Sequence, residues 1–253
     1  MSVLTIEMLF PEIANLHGDN ANIDYLALCR PDARVLRTGL TDTPAFSSER
    51  VDLVYLGPLT EQGQLKAIER LRPHTGRIEA LIEAGTTFLV THNALEIFGT
   101  RIRNAEMHYD VSGLGIFDLE SEVRMFGRYN GKVMGTVADL GHEHPIVGYK
   151  SQFSMVTAAD TVPGFLTADR GIGRNSATAV EGVRRNRFIG TSLLGPLLIT
   201  NPHFARNLLA QLDPDSEPVL AHEQLAVTAY EARLKDFRDR KRWHSFERVK
   251  PRS

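Results

Sequence analysis

The chain has 253 residues, 42% of them hydrophobic and 24% charged, with a formal net charge of -2. That composition is ordinary for a globular chain able to bury a core without disulfides or metals, and the charge argues against nucleic acid or an anionic membrane as the main partner. The single cysteine, Cys29, cannot form an internal disulfide, no signal-peptide pattern precedes the first strand, and no apolar run approaches the roughly 20 residues that span a bilayer, so a cytoplasmic chain with no membrane partner is expected.

Residues 3–10 read as an apolar opening strand closed by Pro11, and residues 12–22 as a polar, glycine-punctuated loop. Asp19 or Asn20 is placed to cap a helix that runs to Cys29 and stops before Pro31, because a residue preceding proline is pushed out of the helical region. Asp19 and Asn22 are therefore expected to organise a turn and a cap, and Cys29 to pack as a small hydrophobe beside Leu26 and Leu28. Residues 33–37 and 51–56 are short strands, the second ending in Gly57-Pro58. Helices are expected over residues 61–71 and 76–83. Strands alternating with helices of this length imply a parallel sheet covered on both sides.

The stretch 84–99, AGTTFLVTHNALEIFG, concentrates the chemistry. Residues 86–90 form a strand buried on both faces, the chain turns at 91–93, and residues 94–98 start a helix that Gly99 stops. A strand, tight turn and helix lift one side chain above the sheet edge, and in hydrolases that side chain is the nucleophile. Here it is His92, in a turn that would also suit a helix cap or pocket filler.

Beyond residue 112 the pattern changes to short strands, read at 113–117, 132–137, 146–149 and 188–194, with a helix at 204–212. His142-Glu143-His144 has metal-binding residue types but is expected in a loop without a third ligand, so no metal is assigned. Gly171-Ile172-Gly173 lacks the strand-then-helix context of a nucleotide fingerprint, and no cofactor is expected. Two segments follow: a main domain over 1–212 and a helical tail over 213–253. In the tail Leu225, Tyr230, Leu234 and Phe237 recur at near-helical spacing with Trp243 beyond, a stripe that either packs on its own domain or docks a partner. The charged run at 233–242 reads as a solvated helix face.

Several blocks, in order and spacing, carry a resemblance. They are Leu9-Phe10-Pro11-Glu12-Ile13 with Asn15-Leu16-His17-Gly18-Asp19, Asp52-Leu53-Val54-Tyr55-Leu56-Gly57, and Gly113-Leu114-Gly115-Ile116-Phe117-Asp118. Near the end come Gly171-Ile172-Gly173-Arg174-Asn175, Glu181-Gly182-Val183, the run Gly190 to Leu198 (GTSLLGPLL) and Asn201-Pro202. Over about residues 5–210 they resemble the class I glutamine amidotransferases, in the cobyric-acid-synthase-like branch, and especially GatD-like amidotransferase subunits of lipid II isoglutaminyl synthase. The resemblance implies a three-layer α/β fold, flavodoxin-like, with a mostly parallel central sheet flanked by helices.

It also implies a site. In that family a Cys at the elbow attacks the glutamine amide and a His before a Gly-Pro-Leu-Leu run serves as its base. Those positions are His92 and Leu194 here, and leucine can neither accept nor donate a proton. The oxyanion turn reads Gly57-Pro58, and Pro58 has no N–H to donate. The conventional glutamine four residues after the nucleophile is Glu96, and the family's Glu-Asn-His segment corresponds to Lys150-Ser151-Gln152. With nucleophile, base and oxyanion turn replaced together, the candidate pocket is Gly57, Pro58, His92, Asn93, Glu96, Gln152 and Leu194, with no catalytic residue assigned. Two readings stay open. One is a non-catalytic subunit partnering a Mur-ligase-like synthetase in cell-wall precursor metabolism. The other is an active amidotransferase or other hydrolase rebuilt on His92 and Glu96, a pair capable of general-base work on water.

Overall fold

The structure, a computed structural model, describes residues 3–243 and 245–247; the remainder of both expected segments, residues 1, 2, 244 and 248–253, lies outside the described residues. The first half alternates strand and helix as its pattern requires. β1 (Thr5–Leu9), α1 (Ala21–Cys29), β2 (Arg34–Thr38), β3 (Leu53–Leu56), α2 (Glu61–Leu71), α3 (Thr75–Glu83), β4 (Thr87–Thr91) and the single-turn α4 (Ala94–Ile97) follow one another. Then come β5 (Arg101–Asn104), β6 (Tyr109–Ser112), β7 (Leu119–Val123), β8 (Tyr129–Val137), β9 (Gly141–Gln152), β10 (Ser154–Ala158), β11 (Leu166–Arg170) and β12 (Val180–Glu181). The chain returns through β13 (Val183–Arg185) and β14 (Phe188–Thr191), then α5 (Leu197–Thr200), α6 (Pro202–Leu212), α7 (Glu223–Arg238) and β15 (Ser245–Glu247).

The central sheet has the order β13-β14-β4-β3-β1-β2, and all its pairings are parallel except β13 with β14. This is a mixed α/β fold with a mostly parallel central sheet flanked by helices. Strand alternation explains the layers. Val54, Leu56, Phe88 and Val90 face a core closed by Ile68 and Leu71 of α2 and by Ile78 and Ile82 of α3. Leu53, Tyr55 and Leu89 face the other way, onto Ile23 and Leu26 of α1, Leu198 of α5 and Phe204 and Leu208 of α6. The β4 run is buried throughout because both faces are covered, so it carries no polar alternation.

Two expectations fail here. Residues 113–117 form no strand. The N–H groups of Leu114, Gly115 and Ile116 bond to the carbonyls of Ile97, Gly99 and Phe98, so this segment caps the end of α4. The backbone runs so close that a Cβ at Gly113 would lie 2.2 Å from the Gly99 carbonyl oxygen, a separation open only to glycine. The His142-Glu143-His144 run is not a loop but the beginning of β9. His144 stacks on His203 at 3.6 Å between ring centroids, and His142 Nδ1 meets Thr136 Oγ1 at 3.1 Å. No group of three or more His, Cys, Asp or Glu able to hold a metal occurs among the described residues.

The tail helix divides its stripe. Tyr230, Leu234 and Phe237 are buried against Val147 of β9, and the Tyr230 hydroxyl donates to the Pro145 carbonyl at 2.7 Å. Leu225, one turn earlier, is 72% exposed. No helix among the described residues is long and apolar enough to cross a membrane.

Candidate functional site

Gly57, His92 and Leu194 follow β3, β4 and β14, three strands adjacent in the sheet, so all three lie past its carboxyl edge. Open parallel sheets bind ligands at that edge, because the turns there converge on one crevice. The crevice found there has a volume of about 420 Å³ and is walled by His17, Leu59, Gln64, His92, Asn93, Glu96, Ser151 and Ser154, among others. Of the sequence candidates, His92, Asn93 and Glu96 line it. Gly57, Pro58, Gln152 and Leu194 are not part of its lining.

His92 occupies the elbow with φ 55°, a left-handed conformation that side chains other than glycine adopt at a cost. Its N–H donates to the Thr191 carbonyl at 2.6 Å, which continues the β4–β14 pairing one residue past the strands and fixes the turn. The ring is equally committed. Nε2 lies 3.0 Å from the Ser151 carbonyl, and since a carbonyl only accepts, this nitrogen carries the ring proton. Nδ1 is buried and has no hydrogen-bond partner among the described residues. Burial lowers the His92 pKa below the usual histidine value, so the ring is neutral at physiological pH. The ring of His17, also in a left-handed turn, stands 6.0 Å away.

The turn after β3 is closed against the elbow. Asn93 accepts from the Leu59 N–H at 3.0 Å and donates to the Leu59 carbonyl at 2.8 Å, satisfying both backbone groups of that residue with one carboxamide. The preceding residue is proline. Pro58 offers no N–H and the Leu59 N–H is taken, so neither residue presents a free backbone donor to the crevice. Gly57 is held by close packing: a Cβ there would lie 2.4 Å from the Ala14 carbonyl oxygen.

Glu96 is 3% exposed. One oxygen accepts from Gln64 Nε2 at 3.1 Å and the other from the Ser154 hydroxyl. Burial pushes its pKa up to about 7, against the opposing effect of those two donors. Among the described residues no hydrogen bond joins Glu96 to His92. Gln152 donates to the Ser154 carbonyl at 2.7 Å and holds the β9–β10 corner. Leu194 is half-buried and bonds through its N–H to the Tyr149 carbonyl at 2.7 Å, tying the end of the β14 segment to β9.

Two buried polar clusters support this floor. Asp19 and Asn22 form the expected turn, the Asn22 N–H and side-chain amide both donating to the Asp19 carbonyl at 3.0 Å, but neither side chain caps α1. Instead the Asp19 carboxyl, wholly buried, accepts from the Tyr55 hydroxyl at 2.7 Å, from Thr91 Oγ1 and from Asn22 at 3.1 Å. Asn22 in turn accepts from the Leu198 N–H at 2.9 Å. Desolvation raises the Asp19 pKa, and its hydroxyl and amide donors oppose the rise. A Cβ at Gly195 would fall 1.4 Å from Asp19 Oδ1, which is why glycine is needed there. The second cluster is the wholly buried pair Lys150–Glu181, at 3.3 Å. Lys150 also donates to the Gly173 carbonyl at 2.6 Å, and Glu181 accepts from Thr191 Oγ1 and the Ser192 N–H, both at 2.8 Å. Burial lowers the Lys150 pKa and Glu181 counters it. Only Lys150 carried a signal in the sequence, following the apolar run of residues 146–149, whereas Asp19 stands in a polar loop.

Cys29 is buried far from this edge, with its Sγ accepting from the Ala221 N–H at 3.2 Å and its pKa raised by desolvation. A thiol so placed is inert.

No protein-family model matches the chain, and no curated protein does. Among solved structures, a glutamine amidotransferase from Thermotoga maritima aligns at 10% identity with a TM-score of 0.49, covering 92% of this chain and 94% of that one. The mmIFT52 N-terminal domain aligns at 11% identity and TM-score 0.41, covering 82% and 96% respectively. A ThuA-like protein from Parabacteroides merdae aligns at 12% and 0.37, covering 78% and 81%. The fold stands on the strand order given above.

Proposed function

We propose that the chain is a GatD-like, glutamine amidotransferase-type subunit without glutaminase activity. In this reading it serves a Mur-ligase-like synthetase as a non-catalytic partner in cell-wall precursor metabolism. One observation carries the reading. The residue at the elbow is a neutral histidine whose proton is given to the Ser151 carbonyl and whose other nitrogen is buried. Amide hydrolysis through a covalent intermediate needs a nucleophile, a base for the leaving group and donors for the oxyanion. His92 is turned away from the first role, Leu194 has no group for the second, and the Pro58-Leu59 turn has no free N–H for the third.

The alternative of a hydrolase rebuilt on His92 and Glu96 has less support, because both oxygens of Glu96 already accept hydrogen bonds and neither bond comes from His92. The subunit reading is tested by co-expressing the full chain with the Mur-ligase-like synthetase of its own genome. A stoichiometric complex on size exclusion is expected. Two separate monomers at micromolar concentration would overturn it.

A further inference from the structure

From the apolar groove between α5 and α7, we infer that this face receives a polypeptide segment of a partner subunit, one that inserts an apolar side chain and brings a carboxylate to Arg233. The inference rests on the subunit reading above and gives it a location. The groove has a volume of about 320 Å³ and is walled by Ile199, Ala221, Leu225, Ala226, Ala229 and Tyr230. Its floor is alanine, so it is deep where a helix surface is ordinarily filled.

Two large apolar residues of its wall stand at unusual exposure: Leu225 at 72% and Ile199 at 41%. Contiguous exposed apolar surface with a polar rim marks an interaction site, whereas scattered single residues do not. The stripe of α7 sharpens the point. Three of its members close the core, and Leu225 at the same near-helical spacing is left outside.

Charge selects the occupant. The ionisable side chains of the groove wall are His222 and Arg233, with no acid among them. No ion pair of Arg233 occurs among the described residues, although Glu223 on the same helix is engaged by Arg206. An occupant with an apolar anchor and a carboxylate one or two turns away would satisfy both features of the groove. A two-fold contact of this groove with the same groove on a second copy fits less well, because its wall carries no acid to meet Arg233 and Glu223 is already engaged.

The test uses the full chain in its native cells with a benzoylphenylalanine photo-crosslinker at position 225, and a control crosslinker at Leu65 on α2. The expected result is an adduct from 225 alone, to another protein, at a segment containing an apolar residue and an Asp or Glu. Arg233→Glu should reduce its yield at least tenfold with no change in thermal unfolding. An adduct to a second copy of this chain would overturn the inference, as would an adduct that Arg233→Glu leaves intact. A stable complex with the synthetase but no adduct at 225 would overturn the groove and leave the subunit reading standing. A chain that stays monomeric and gives no adduct would overturn both.

Discussion

Replacing Glu96 by Gln should change stability in a way that depends on pH, with a sign opposite to that of a carboxylate paired with a cation. Glu96 has no cationic partner, and burial raises its pKa from 4.5 to about 7 in the folded chain. Between those values the folded protein holds a proton that the unfolded chain has released. Stability from this group is therefore complete below pH 4.5 and is lost as pH rises through 7. At 1.36 kcal/mol per pH unit the full loss is about 3 kcal/mol by pH 8. Glutamine keeps the shape, accepts from Gln64 or Ser154 as before, and cannot ionise. Urea unfolding of both proteins from pH 5 to pH 8 reads the difference directly, because other titrating groups cancel. The variant should match the wild type near pH 5 and exceed it by about 3 kcal/mol at pH 8. A difference that stays flat across this range would refute the burial argument.

Restoring the reagents should not restore the reaction. The double variant His92→Cys with Leu194→His supplies thiol and base, but Pro58 and the occupied Leu59 N–H deprive the oxyanion of the donor this turn would supply. One missing donor costs about 10²–10³ in rate, so ammonia release should stay at least about 10²-fold below that of an amidotransferase with an intact turn; a rate near that level would count against the role given to this turn. In the tail, Phe237→Ala should destabilise the chain by about 3–5 kcal/mol, since it empties a fully buried site against β9. Leu225→Ala should stay within about 0.5 kcal/mol. Equal losses on urea unfolding would contradict the division of that helix into a core half and a surface half.

The parallel half was legible because a strand buried on both faces writes itself as an unbroken apolar run, as residues 86–90 do, and because glycine and proline mark where such runs stop. Residues 113–117 misled for the same reason. An apolar stretch between glycines looks like a strand, and nothing local reveals that its N–H groups go to the end of α4. The small strands β5, β6 and β7 were missed because their alternation is short and interrupted by charge, as in Leu119-Glu120-Ser121-Glu122-Val123. At the site, the positions around His92 and Leu194 came from their place in the chain, and the structure sets them at the ends of neighbouring strands. What could not be read was commitment. The Ser151 carbonyl on His92, the Asn93 carboxamide on Leu59 and the Ser154 hydroxyl on Glu96 join residues 34 to 59 positions apart, and no spacing rule connects them.

The central claim is that the elbow has no working nucleophile, and incubation of the purified full chain with millimolar glutamine, followed by coupled detection of ammonia, tests it most directly. The account predicts release at the uncatalysed background, in the chain alone and in its complex, and no change on Cys29→Ala. Saturable release that survives Cys29→Ala and disappears in His92→Ala would contradict it.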